Sequence, residues 1–168
     1  MQISNKETEF LKQSNYIENE RSEEALEDAI RAWQYALVAN KNNIDINAIL
    51  IIHDFLMKRL NKRISGKFRK RDVYIGGVRK MFVSTKLIEH SIELYLEEMQ
   101  ISLNDPPKDK EETTKKLHVM FEEIHPFEDA NGRVGRILYN IHRLNLGLGI
   151  HVIHEGDEQY EYYKWFQN

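Results

Sequence analysis

Along most of this chain, apolar residues recur every three or four positions, the spacing that turns one face of an α-helix toward a core. In "SEEALEDAIRAWQYALVAN" they fall at Leu26, Ala29, Ile30, Trp33 and Leu37, behind Ser22 as N-cap and Glu23 and Glu24 in the first turn. "IDINAILIIHDFLMKRL" repeats the pattern through Ile46, Ile49, Leu50, Phe55 and Leu60. Further helices are predicted over residues 85–101 and 109–124. A fifth, "NGRVGRILYNIHRLNLG", has Val134, Ile137, Leu138, Ile141 and Leu144 as its apolar face and Gly147 as its stop. A short last helix carries Tyr160, Tyr163 and Phe166.

One segment departs from helical spacing. "RDVYIGGVRKMFVS" has β-forming runs at Val73, Tyr74 and Ile75 and at residues 81–83, around the turn signal Gly76-Gly77. It reads as one hairpin that must lie against helices, because two strands alone are marginal in water. Pro106 and Pro107 separate two helices. No linker is long enough to divide the chain. Residues 1–21 read as an N-terminal extension and 22–168 as one domain, a length that suits a single core.

Composition removes several classes of function. The net charge of −3 advertises neither nucleic acid nor an anionic membrane as partner. With no cysteine there is no disulfide and no thiolate zinc site. No stretch approaches the ~20 apolar residues of a membrane span, and "MQISNKETEF" lacks a signal-peptide core, so a cytoplasmic protein is the expectation. Eight basic residues in the fourteen of "KRLNKRISGKFRKR" read as a solvated helix end, since no aromatic interleaving supports nucleic-acid binding. His151 and His154, without further ligands, read as loop residues rather than a metal site.

The stretch "EIHPFEDANGRVGRILYN" is different. Arg133 and Arg136 occupy the opening turns of a helix, where the dipole and the free N–H groups favour anions. On a helical wheel these arginines and Asn140 lie away from the apolar face, beside the helix start. With Gly132 allowing close backbone approach, they form a site for several phosphates. Asp129 makes sense there as a ligand for Mg²⁺ shared with substrate phosphates, and His125 as a base at neutral pH. Base, metal and polyphosphate are the reading of the residues alone.

"HPFEDANGRVGR" resembles the signature of the Fic family, His-Pro-Phe-x-Asp/Glu-Gly-Asn-Gly-Arg-x-x-Arg, at every specified position except Ala130. "FRKRDVYIGG" is similar to the family's Arg-rich segment leading into a hairpin called the flap. The resemblance implies an all-α, Fic-like helical bundle with one β-hairpin flap. It also implies transfer of AMP from ATP, with Mg²⁺, to a Ser, Thr or Tyr hydroxyl of a target protein. By position, His125 resembles the base, Asp129 the Mg²⁺ ligand, and Asn131, Gly132 and Arg133 the phosphate cradle. Arg136 would hold the γ-phosphate and Phe127 would anchor the loop. The segment Val73, Tyr74, Ile75, Gly76 and Gly77 would clamp the target by strand addition. Doc toxins, relatives that phosphorylate a translation factor, share Ala at position 130 but carry Asn-Lys where this chain has Asn131-Gly132, which favours AMP transfer here.

"SNYIENE" supplies Ser14, Glu18 and Asn19, resembling the family's inhibitory motif Ser/Thr-x-x-x-Glu-Gly/Asn. A carboxylate pairing with Arg136 would occupy the γ-phosphate's partner and repel that phosphate. The expectation is an autoinhibited protein adenylyltransferase, with self-modification and homo-oligomer formation left open. Other readings are removal of AMP, transfer of another phosphate-linked group, or a non-catalytic nucleotide-binding module of a toxin–antitoxin-type pair. The retained His125 and Asp129 speak against the last, because binding alone needs no base.

Overall fold

The computed structural model of the protein describes residues 2–73 and 82–167. Among these residues the secondary structure is helical: α1 (Asn5–Ile17), α2 (Glu23–Ala39), α3 (Ile46–Met57), α4 (Ile88–Asn104), α5 (Lys110–Ile124), α6 (Asn131–Asn145) and α7 (Asp157–Tyr163), with three short 3₁₀ turns. The starts are chemically specified. Ser22, Asp45 and Asp109 each accept a hydrogen bond from the N–H three residues on, satisfying a donor the helix cannot. The hairpin expected from Val73 onward has Tyr74, Ile75, Gly76 and Gly77 outside the described residues. Within the described residues there is no strand, and the fold is all-α.

The N-terminal extension is itself a helix. Ser4 and Glu7 form a reciprocal capping box at its start. The second carboxylate oxygen of Glu7 accepts the Trp33 indole N–H at 2.8 Å, and Phe10 packs edge-on to Trp33 at 5.4 Å. These contacts fasten α1 to α2. At the other end, Glu20 N–H donates to the Asn15 carbonyl and Asn19 N–H to the Tyr16 carbonyl, with Asn19 at φ +58°. This Schellman turn uses the left-handed conformation that Asn tolerates. It stops α1 directly after Glu18.

Helix α6 is enclosed on nearly every side. Val134, Ile137, Leu138 and Ile141 enter the main core with Ile49, Ile52, Phe121 and Phe127, as their spacing predicts. Leu144 was expected on that face, yet it is 36% exposed near the helix end. The larger departure is polar: Arg133, Arg136, Asn140 and Arg143 are buried too. Asn140 exchanges two hydrogen bonds with the backbone of His151, at 2.7 and 3.1 Å. Arg143 forks onto Glu111. A buried cation requires such partners, and here neighbouring segments supply them.

A second small cluster joins the chain's two ends. Ile17 of α1, Ile153 and Tyr162 pack together, with Trp165 and Phe166 against them. The last helix thus buries Tyr162 and leaves Tyr160 and Tyr163 exposed, one register away from the expected face. The basic run also departs from expectation. Arg59 and Arg63 pair with Asp28 and Glu128, and Arg69 is buried.

Because Trp33 is fully buried and tied to α1, Trp33→Ala is expected to lower the unfolding free energy by about 3–5 kcal/mol. Urea titration followed by circular dichroism measures it, and a loss below about 1 kcal/mol contradicts this packing.

Candidate active site

The loop 125–130 joins α5 to α6, and both of its ends are left-handed: His125 has φ +48° and Ala130 φ +64°. Such conformations cost an L-residue roughly 1–2 kcal/mol, so the loop must be held in shape. Asn131 does so with both ends of its amide, accepting from Phe127 N–H at 2.9 Å and donating to the Phe127 carbonyl at 3.0 Å. Its side chain is therefore committed to holding the loop. Phe127 is fully buried and stacks on His53 with centroids 3.8 Å apart and planes 3° from parallel.

His53, unnoticed in the sequence because it sits within an apolar helix, is the loop's second support. Its Nδ1 faces Gly66 N–H at 3.0 Å and must accept, so Nε2 carries the proton and donates to the Asp129 carbonyl at 3.2 Å. Burial pushes its pKa down to about 4, opposed by the Asp129 backbone contact and reinforced by Arg133. The ring is neutral at pH 7.

His125 itself is half-buried. Its Nδ1 lies 3.3 Å from the Glu122 carbonyl, an acceptor, which assigns the proton to Nδ1 and leaves a lone pair on Nε2. Burial lowers its pKa from the ordinary value, and the Arg69 charge adds to this; the Glu122 carbonyl and Glu18 oppose it. Phe82 stacks on the ring at 4.1 Å. Arg69 holds the loop's backbone: its Nε donates to the His125 carbonyl at 2.7 Å and its N–H to the Pro126 carbonyl at 2.9 Å. A neutral, oriented imidazole can accept a proton.

The N-terminal end of α6 faces the same region. Ala130 offers no capping side chain, so the first N–H groups of the helix point outward without an intrahelical acceptor. Gly132 lets the ends of the Glu18 and Arg136 side chains lie close over the backbone, since a Cβ there would displace them. Arg133 is buried against Met57, with its Nε donor lacking a partner and Asp129 at 3.8 Å. An orphaned guanidinium donor beside free N–H groups suits an anion. Asp129 is 63% exposed at the mouth, with Oδ1 accepting Ala130 N–H. No group of three or more acidic or His side chains able to hold a metal occurs among the described residues. One exposed carboxylate beside a phosphate cradle fits Mg²⁺ bound mainly through a nucleotide, and does not fit a protein cage.

Arg136 is 2% exposed, and helix α1 covers it. Its Nε donates to Ser14 Oγ at 2.9 Å, and Nη2 donates to the Ser14 carbonyl at 2.9 Å and to Glu18 Oε1 at 2.7 Å. Burial opposes its charge, but Tyr162 and Glu18 more than offset that, raising its pKa. The structure therefore gathers His125, Asp129, Asn131, Gly132 and Arg133 at one helix end and sets Ser14 and Glu18 on Arg136. Asn19 follows Glu18 and ends the helix that carries Ser14, its N–H donating to the Tyr16 carbonyl. Of the expected flap, Val73 and residues 82–83 are described and are not strand, while residues 74–81 lie outside the described residues. Arg69, hidden in a basic run, and Tyr162, one register off the expected face, were not legible as site residues.

Residues 43–142 match the Fic/DOC family, and the chain belongs to it. A protein adenylyltransferase Fic from Aedes aegypti is 30% identical over 142 residues, which are 83% of this chain and 28% of that protein. A probable protein adenylyltransferase from Aquifex aeolicus is 32% identical over 112 residues, 67% of this chain and 33% of its own. The chain spans about a third or less of the length of these curated relatives. A Fic-domain signalling protein from Bacteroides thetaiotaomicron superposes over 96% of this chain and 70% of its own, with TM-score 0.81 at 19% identity. Fic-1 from C. elegans covers 98% of this chain, with 58% of its own chain matched, TM-score 0.68 and 20% identity. At that identity the two structures establish the fold.

The two histidines give a pH test. The folded pKa of His53 lies below its unfolded value, so the stability it contributes is complete above about pH 6.5 and is lost as pH falls toward about 4. NMR titration is expected to keep the His53 ring neutral down to that range and to place the His125 midpoint below ~6.5. An ordinary midpoint for His53 contradicts its assigned tautomer.

Proposed function

We propose that this chain is a cytoplasmic protein adenylyltransferase that transfers AMP from ATP to a hydroxyl side chain of a target protein, and that Glu18 holds it inhibited. The single observation carrying the proposal is the Glu18–Arg136 ion pair at 2.7 Å, formed beside a signature matched at every specified position except Ala130. Curated relatives of this family are protein adenylyltransferases by name, which supports the reaction class.

In this reading His125 Nε2 removes the proton of the target's Ser, Thr or Tyr hydroxyl. The freed oxygen attacks the α-phosphorus of ATP in line, and the bond to the bridging oxygen of the β-phosphate breaks. The products are an AMP ester on the target and pyrophosphate. The Nδ1–H contact to the Glu122 carbonyl keeps the lone pair on the reacting nitrogen. The α6 N-terminus and Arg133 hold the inner phosphates, and Arg136 holds the γ-phosphate. Asp129 would bind Mg²⁺, which when bound supplies charge neutralisation for the phosphates.

Inhibition follows from competition for one cation. Glu18 Oε1 stands on Arg136, and the gap over Gly132 is too narrow for even a methyl group. A γ-phosphate meets a carboxylate where it needs a guanidinium, and the nucleotide settles with its α-phosphorus displaced. Misplacement by about 1 Å costs on the order of 10²-fold in rate.

The test is labelled AMP incorporation from α-labelled ATP with Mg²⁺, into the chain itself or added protein. Glu18→Gly is expected to raise incorporation by on the order of 10²-fold, and His125→Ala in that background to abolish it. Equal, undetectable labelling of the wild type and Glu18→Gly overturns the proposal.

A further inference from the structure

Arg136 has an edge that α1 does not touch. Its Nη1 donates to the hydroxyl of Tyr162, on α7, at 3.3 Å, and the guanidinium carbon lies 5.8 Å from the Tyr162 ring. The same hydroxyl lies 2.8 Å from Nε2 of His118, on α5. Tyr162 is 3% exposed, between the faces of His118 and the edges of Trp165 and Phe166.

The direction of the Arg136 contact follows from the donors present. A guanidinium only donates, so the Tyr162 oxygen accepts from Arg136. Burial, aided by the Arg136 charge, pushes the pKa of His118 down to about 3, so its ring is neutral. The neutral ring meets the Tyr162 hydroxyl through Nε2, which either accepts the phenol proton or donates to its oxygen; both fix the hydroxyl. Arg136, Tyr162 and His118 thus form one buried hydrogen-bonded chain.

The side-chain hydrogen bonds of Arg136 divide into two sets. Those to Ser14 Oγ, the Ser14 carbonyl and Glu18 come from α1 and its C-cap, and of these the Glu18 contact must give way if a γ-phosphate is to take its place. The contact to Tyr162 comes from α7; Tyr162 packs on Ile17 of α1 but is also held by His118, Trp165 and Phe166, so its place does not depend on Glu18. We propose that Tyr162 is a positioning residue for the phosphate arginine: its hydroxyl fixes one edge of Arg136 whether the opposite edge faces Glu18 or a nucleotide. The proposal rests on the assignment of Arg136 to the γ-phosphate. It adds that the C-terminal helix, outside the signature motif, sets how well a triphosphate is told from a diphosphate.

ATP and ADP differ only in the group that Arg136 is assigned to hold, so their affinity ratio isolates the effect. Calorimetric titration with each magnesium nucleotide, on a full-length Glu18→Gly, His125→Ala chain in which no transfer occurs, measures that ratio. Tyr162→Phe is expected to cut the preference for ATP by about tenfold while leaving ADP affinity within about twofold. A purely structural role for the hydroxyl weakens both nucleotides alike, and that result overturns the proposal, as does an unchanged ratio. Should Tyr162→Phe fail to fold, the hydroxyl's partner provides the test. His118→Phe is expected to lower the ATP preference and His118→Gln, whose amide oxygen can accept, to keep it; equal ratios overturn the proposal. A background chain that binds both nucleotides without preference, or neither, removes the γ-phosphate assignment and this inference together.

Discussion

A guanidinium with almost no exposed surface governs this molecule. Arg136 cannot shed its proton, and an uncompensated charge at such depth costs about 3–5 kcal/mol. The helix that carries it makes matters worse, because its N-terminal end is already electropositive. An anion has to stand beside Arg136, and α1 brings one. The turn at Asn19 acquires its meaning here: by ending the helix just after Glu18, it leaves the carboxylate at the tip, aimed at the cation. In the proposed function, nucleotide and helix compete to satisfy one electrostatic demand.

Around that cation the loop between α5 and α6 is held in a costly shape by inexpensive means. Two of the four non-glycine residues with positive φ among the described residues are its ends, and a third is Asn19. His53, Asn131 and Arg69 bind loop carbonyls or N–H groups, so the strain is supported by buried hydrogen bonds. Ala130, where the family signature has glycine, is a case in point. Its φ of +64° suits glycine better, but its methyl is buried in the main core, which offsets part of the conformational cost.

The helices were legible because their apolar spacing and caps are local signals, and the boundaries at Ser22 and Asp109 show it. The N-terminal end of α6 stood out for the opposite reason: arginines at a helix start violate a local rule, and functional sites are where such rules break. What could not be read was the company those arginines keep. The wheel placed them away from the apolar face, which is correct, yet it carries no information on what covers that side. The helix over it, α1, has a weak apolar pattern and is fastened by Glu7 and Trp33 rather than by a broad stripe. Tyr162 was missed because three tyrosines in a seven-residue helix permit more than one register, and only the position of Ile17 and His118 selects between them.

Arg69 joins parts of the chain that otherwise have little to do with one another. Besides the His125 carbonyl, it donates to the carbonyls of Arg71 and Val83, on either side of residues 74–81, and to that of Ile124. One rivet thus pins both shoulders of that segment to the shelf on which the imidazole rests. Any pull on either shoulder is resisted by the very bonds that set the base in place, so mechanical load there and alignment of the ring are not independent.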